Sequence, residues 1–324
     1  MQGRRIPVDE DALQPISMAL FRTQPDAFAA ALRRDFEATG FAVVRDHGLD
    51  PSLIDAAAVS AKAFFALAEA DKRRWHVRGQ AGARGYTPFG VETAKGQGRA
   101  DLKEFWHVGR PLPDDHPYRR LMPENLWPDQ PADFRQVFAE VYAAFDDLGR
   151  ELLEAVALGL GLARTWFADK TALGDSILRL AHYPPAPADA LGVRAAAHED
   201  INVITLLLGA EEPGLEILTR AGRWLPVNPP PGSLVINVGD MLQRLTNHVL
   251  PSTTHRVANP PPERRGAARL STPFFVHFQP DFEIRTLASC VGPSNPDRYP
   301  QPITAHAYLQ QRLFEIGLRT QPAA

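Results

Sequence analysis

His198-Glu199-Asp200-Ile201-Asn202-Val203-Ile204-Thr205-Leu206-Leu207-Leu208 sets a histidine and a carboxylate two positions apart, just ahead of a run of β-branched and apolar residues. Val203 to Leu208 reads as a strand. On an extended segment residues i and i+2 point to one face, so His198 and Asp200 can converge on a single ion. Alone the pairing means little: ten histidines and 38 acids in 324 residues give about one His-x-acid match by chance. Context raises its value. Among the ten histidines only His198 carries an acid at +2, and His255 opens another predicted strand in His255-Arg256-Val257.

Short β-prone runs extend through the whole C-terminal half: Ile177 to His182, Leu215 to Leu218, Ser233 to Val238, His255 to Ala258 and Leu270 to Phe278. Many short strands separated by Gly and Pro predict an antiparallel barrel or sandwich, with a jelly roll the natural candidate. Before Asp175 the pattern is mainly helical. Asp26 to Glu37 carries Phe28, Ala31, Leu32 and Phe36 on one side, and Pro51 opens a second helix through Phe65. Pro131 to Leu162 is the longest helical pattern, striped by Phe134, Phe138, Val141, Phe145, Leu148 and Leu152. Phe41 to Val44 reads as a short buried strand, Gly79 to Gly98 as an aperiodic loop, and Ile303 to Leu318 as a closing helix. The expected organisation is a helical N-terminal region over residues 1–174, packed on a jelly-roll core with a closing helix over residues 175–324.

The chain is long enough for a substantial core. Hydrophobic residues make up 44% and charged residues 23%, ordinary for a globular protein. A formal charge of -3 gives no bulk reason to expect nucleic acid or an anionic membrane as partner. The first residues lack the apolar run of a secretory signal, and no apolar stretch is long enough to span a bilayer. The one cysteine, Cys290, allows no intrachain disulfide and fits a reducing cytoplasm.

Two imidazoles and a carboxylate leave open positions on an octahedral metal, which suits non-haem Fe(II) chemistry with O2. Zinc accepts the same ligand types, so the ligands alone do not choose the metal. Arg269-Leu270-Ser271, on the strand after His255, sharpens the choice. A guanidinium fork and a hydroxyl on one face suit the distal end of a dicarboxylate, and Tyr183 can donate to the same oxygens.

With these residues the chain resembles the isopenicillin N synthase-like Fe(II)/2-oxoglutarate-dependent dioxygenases. The resemblance runs in order along most of the sequence: Gly40-Phe41…His47-Gly48, Gly85-Tyr86-Thr87-Pro88, Asp101-Leu102-Lys103-Glu104-Phe105 and His182-Tyr183-Pro184. His198-Glu199-Asp200, Val235-Ile236-Asn237-Val238-Gly239-Asp240, His255-Arg256-Val257 and Arg269-Leu270-Ser271 complete it. It implies a double-stranded β-helix, iron on His198, Asp200 and His255, and 2-oxoglutarate held distally by Arg269, Ser271 and Tyr183. One position departs. Where the family often has Asn two residues before this tyrosine, the chain has Ala181, so one cosubstrate hydrogen bond is missing or comes from elsewhere.

The activity implied is oxidation, by hydroxylation, of a small organic molecule, with succinate and CO2 as co-products. Two rival readings are an iron oxidase that does not use 2-oxoglutarate, and a non-catalytic ligand-binding protein on the same fold. Arg84, Tyr86 and Phe89 on the glycine-rich loop, with Phe274 on the last core strand, are the candidate substrate contacts. His47 and His182 are expected to serve packing or hydrogen bonding.

Overall fold

A computed structural model of the protein describes residues 13–79, 82–92, 101–185, 193–208, 213–264 and 266–316. It begins with β1 (Ile16–Ser17), α1 (Met18–Thr23) and α2 (Pro25–Thr39). Gly40 ends α2 with φ 73°, and a Cβ there would meet the Pro251 carbonyl oxygen at 2.5 Å. Both the left-handed turn and the close approach therefore require glycine. β2 (Phe41–Arg45) follows, then α3 (Pro51–Phe65), whose start is fixed by the Asp50 side chain accepting from Ser52 N and by proline in the first turn. α4 (Glu69–Arg73), β3 (Gly85–Thr87) and β4 (Glu104–Gly109) lead to the 26-residue α5 (Phe134–Gly159) and the short α6 (Ala168–Thr171).

The remaining elements are β5 (Ile177–Tyr183), β6 (Ala195–His198), β7 (Ile204–Leu208), β8 (Leu215–Leu218), β9 (Trp224–Pro226), β10 (Leu234–Val238), α7 (Asp240–Leu245), β11 (His255–Val257), β12 (Arg269–Ser271), β13 (Pro273–Val276), β14 (Glu283–Ile284), β15 (Ile303–Thr304) and α8 (Ala305–Glu315). The large sheet runs β1-β2-β10-β7-β13-β5-β4-β3, with β12 also on β5; the smaller sheet runs β6-β11-β8-β9. Together they form the jelly roll.

Strand alternation decides what each face does. Leu178, Leu180, Ile204, Leu206, Leu234, Ile236, Phe274 and Val276 of the large sheet join one core cluster with Phe28, Leu32, Phe36, Phe64, Phe134, Phe138 and Phe145 of α2, α3 and α5. The residues between them, such as Arg179, Ala181, Thr205, Leu207, Asn237 and Phe275, turn to the inside and line a cavity against the smaller sheet. The helices thus supply the apolar cover for one face of the large sheet, freeing its other face for polar chemistry.

Several sequence readings change. Strands before and after position 174 share the large sheet, so the N-terminal region extends the core as well as covering it. The glycine-rich loop contains β3, drawn into strand by pairing with β4, while its residues 80–81 and 93–98 lie outside the described residues. The run Leu270 to Phe278 divides: β12 pairs with the end of β5 and β13 with its beginning and with β7. The closing helix occupies Ala305–Glu315 of the predicted 303–318. Among the described residues no helix is long and apolar enough to cross a membrane.

Candidate active site

His198 ends β6 and His255 opens β11, and antiparallel pairing sets the two directly opposite each other. Their ring centroids lie 4.4 Å apart. The Nε2 atom of each is 3.8 Å from Asp200 Oδ1, and the three ligand atoms fall within 4.8 Å of one another. Backbone carbonyls fix both tautomers. His198 Nδ1 lies 2.7 Å from Ala196 O and His255 Nδ1 3.1 Å from Thr253 O. A carbonyl only accepts, so each Nδ1 carries the proton and each Nε2 keeps its lone pair for the shared point. Phe41 packs edge-on against the His255 ring, 5.4 Å between centroids.

Asp200 is oriented just as firmly. Its Oδ2 accepts from Thr205 Oγ1 at 2.5 Å and from Asn237 Nδ2 at 2.8 Å, leaving Oδ1 toward the imidazoles. Burial pushes its carboxyl pKa up, but His255, His198, Asn237 and Thr205 outweigh burial and hold it below the usual range. Burial, aided by His255, depresses His198 to about 4 against the opposing pull of Asp200. A carboxylate and a neutral imidazole are the protonation states a metal needs. Glu199, between the two ligands, is turned aside to the Thr254 hydroxyl.

Arg269, Ser271 and Tyr183 line the same cavity as the triad. Register places Arg269 opposite Tyr183 and Ser271 opposite Ala181, with the guanidinium carbon 5.1 Å from the Tyr183 ring centroid. The sequence-predicted metal and cosubstrate sets are thus brought into one chamber. His47 contacts the Gly232 carbonyl, and His182 stacks on Phe65 and bonds Glu104, both away from the triad.

The four expected substrate contacts fall elsewhere. Arg84 is buried beside Gly109, where a Cβ would come within 1.9 Å of its guanidinium carbon, and it pairs with Asp175 at 3.1 Å. The buried Tyr86 hydroxyl donates to Glu104, with a Glu69 carboxylate oxygen 3.1 Å away, in a packed cluster with Phe64. Phe89 is 42% exposed, and Phe274 packs on Tyr142 and Phe145 in the helical core. Parity explains the last correction. Counting by two from Arg269 and Ser271 reaches Pro273 and Phe275, which line the chamber, so Phe274 faces out.

A second cavity of about 380 Å³ adjoins the first and shares His198, Asp200, Lys103, Arg179 and Phe275 with it. Leu309 and Leu313 of α8, with Ile316 just after it, give it an apolar wall, while His107, His277 and Glu92 give it a polar one. The Arg179 guanidinium lies 4.2 Å from the Phe105 ring centroid, donates through Nε to His107 Nε2 at 2.7 Å and sits 3.4 Å from Glu92. Burial keeps His107 neutral, and its Nδ1 donates to the Gly82 carbonyl at 2.6 Å.

This chamber, a His/Asp/His set beside a buried arginine and serine in a jelly roll, falls within a region that matches a known family. The model of the 2OG-Fe(II) oxygenase superfamily matches residues 174–278, and that of the "non-haem dioxygenase in morphine synthesis N-terminal" region matches residues 13–130. A "2-oxoglutarate-Fe(II) type oxidoreductase" of Aspergillus fumigatus is 34% identical over 277 residues, 82% of this chain and 81% of its own length. The chain belongs to the 2-oxoglutarate–Fe(II) oxygenase superfamily. A 2OG-Fe(II) oxygenase family protein of Caulobacter crescentus superposes with a TM-score of 0.88 at 57% identity, covering 94% of this oxygenase and 99% of that chain. A full-length Neurospora crassa protein, solved in complex with α-ketoglutarate and thymine, superposes with a TM-score of 0.83 at 26% identity, covering 94% and 98%. The oxygenase accordingly uses Fe(II), 2-oxoglutarate and O2 and oxidises a small organic molecule.

Proposed function

We propose that His198, Asp200 and His255 hold the iron, that Arg269, Ser271 and Tyr183 grip the distal carboxylate of 2-oxoglutarate, and that the adjoining cavity receives a small molecule for hydroxylation. One observation carries this reading. Every other polar side-chain atom of the triad has a protein partner, so the two Nε2 atoms and Asp200 Oδ1 are the donors left to converge. The set of two neutral imidazoles and one carboxylate fits Fe(II) with open positions. Bound iron and 2-oxoglutarate supply dioxygen activation coupled to loss of CO2, yielding succinate and an oxidised substrate.

The protein's own residues place and shield. Asn237 and Thr205 keep Asp200 ionised and aimed, and the Ala196 and Thr253 carbonyls keep both imidazoles from rotating. Phe41, Leu207, Val257 and Phe275 exclude water from the chamber walls. Arg269, 3% exposed, offers a pre-oriented fork to a carboxylate in surroundings of low dielectric. His198, Asp200 and Phe275, common to both cavities, set the place where a substrate bond would meet the metal.

Relatives named for their substrates include a proline hydroxylase and a homoarginine-6-hydroxylase. Their range supports a small organic substrate here, and the single thiol, Cys290, suits a cytoplasmic setting. The test screens such compounds for stimulated succinate release. The same screen on Leu309→Trp, which fills the adjoining cavity, is expected to lose the stimulation while iron and 2-oxoglutarate binding stay intact. Undiminished stimulation in that variant would remove the cavity from the proposal.

A further inference from the structure

The inward face of β5 reads Arg179, Ala181, Tyr183, so the chamber wall between two large polar side chains is a methyl group. Across the sheet Ala181 faces Phe105 on one side and Ser271 on the other. Neither Ala181 nor Phe105 has a side-chain donor, so this part of the chamber must draw any further polar contact from a side chain reaching in from elsewhere. Lys103 does so. It immediately precedes β4, is 5% exposed, and lines the chamber with the triad, Tyr183 and Arg269.

Its position is built. Asp101 Oδ2 accepts from the Lys103 ammonium at 2.9 Å, and Glu92 lies 3.6 Å away. The other Asp101 oxygen accepts from the Ala196 amide at 3.0 Å, on the strand that ends at His198. Ala196 is therefore a node: its N–H holds the Asp101–Lys103 pair and its carbonyl holds the His198 imidazole. Burial lowers the ammonium pKa, but Glu92 and Asp101 more than reverse that and keep it charged. An ammonium has three donors, and Asp101 engages one of them.

Resting on the cosubstrate reading above, we propose that Lys103 is a cosubstrate-positioning residue, whose ammonium binds the keto-acid carboxylate of 2-oxoglutarate, the end opposite the carboxylate held by Arg269. A dicarboxylate spanning the chamber then has a cation at each end, and Lys103 supplies the contact that Ala181 cannot. The two anionic ends are distinguished by their partners: a planar fork with a hydroxyl at one, a point charge beside His198 at the other.

The experiment is an anaerobic titration of the iron(II)-loaded protein with 2-oxoglutarate and, separately, with 2-oxobutanoate, which keeps the keto-acid end and lacks the distal carboxylate. Binding is read from the visible absorption band. Loss of a charge-assisted hydrogen bond in Lys103→Met is expected to weaken both keto acids by the same factor, about ten- to a hundredfold. Lys103→Arg, which keeps the charge and donors, is expected to stay within about threefold of wild type. Arg269→Gln weakens the dicarboxylate alone. Iron affinity without keto acid is measured on the same samples and should be unchanged in both Lys103 variants. The assignment is overturned if Lys103→Met binds both keto acids as wild type does, if it loses 2-oxoglutarate but not 2-oxobutanoate, or if iron binding falls in parallel. Should Lys103→Met not fold, Lys103→Gln takes its place with the same expectations. Failure of the wild-type protein itself to bind 2-oxoglutarate refutes the cosubstrate reading instead, so the two failures are distinguishable.

Discussion

Replacing Asn237 by leucine removes one of the two donors that orient Asp200 while nearly conserving side-chain size. Asn237 lies on β10, is 4% exposed, and its Nδ2 is 2.8 Å from Asp200 Oδ2. A hydrogen bond to a buried charged group is worth about 1.5–3 kcal/mol. That corresponds to roughly ten- to a hundredfold in iron affinity, matching the usual effect of removing a partner behind a metal ligand. A second consequence has a definite sign. Asn237 is among the groups that lower the Asp200 pKa, so its loss lets a proton compete with the metal at higher pH. The assay is iron(II) affinity by competition with a chelator across pH, on variant and wild type of equal thermal stability. The expected result is weaker binding and an acid limb displaced upward. A folded Asn237→Leu protein binding iron within about twofold of wild type at every pH would refute the claim that Asp200 is held for the metal.

Phe274→Ala is expected to cost about 3–5 kcal/mol of stability, read by denaturant melts, with iron and 2-oxoglutarate affinities unchanged, because Phe274 packs on Tyr142 and Phe145 outside the chamber. Arg269→Gln should weaken 2-oxoglutarate by about ten- to a hundredfold without altering iron affinity, checked by calorimetry under anaerobic conditions. Glu92 is raised by burial but brought down to about 2 by Arg179, Lys103 and its other neighbours. A carboxyl depressed on folding stabilises above its unfolded value of 4.5, and that contribution is lost as pH falls toward 2. Glu92→Gln is accordingly expected to flatten the melting temperature of the metal-free protein against pH within that window; an unaltered acid limb would remove Glu92 from the buried ion-pair network.

What could be read in the sequence was what repeats locally or sits on one strand. His198 and Asp200 are joined by their two-residue spacing, although β6 ends at His198 and Asp200 lies just beyond it, and the apolar strands Ile204–Leu208 and Leu234–Val238 announce themselves by composition. β6 did not: Ala195-Ala196-Ala197 carries no strand preference of its own, and its state is imposed by pairing with β11, the pairing that brings His255 to His198. The adjoining cavity was equally hidden. Its walls come from Glu92, Lys103, Arg179, His277 and the far C-terminal Leu309 and Leu313, which no local pattern connects. The misplaced Phe274 was a different kind of miss, since parity carried on from Arg269 and Ser271 reaches Phe275. Ala181 was visible as a departure, but what surrounds it is decided by the register of β5 with β4 and β12.

The role proposed for His198, Asp200 and His255 is to hold an iron(II) that acts with 2-oxoglutarate. It is tested most directly by adding 2-oxoglutarate anaerobically to the iron-loaded protein, recording the visible spectrum, and then admitting oxygen and measuring succinate. The expected result is a weak absorption band that saturates at one equivalent of 2-oxoglutarate, succinate on exposure to oxygen, and neither signal in Asp200→Ala. An intact, iron-loaded protein that gives no band and no succinate, or an Asp200→Ala variant that gives both, would contradict it.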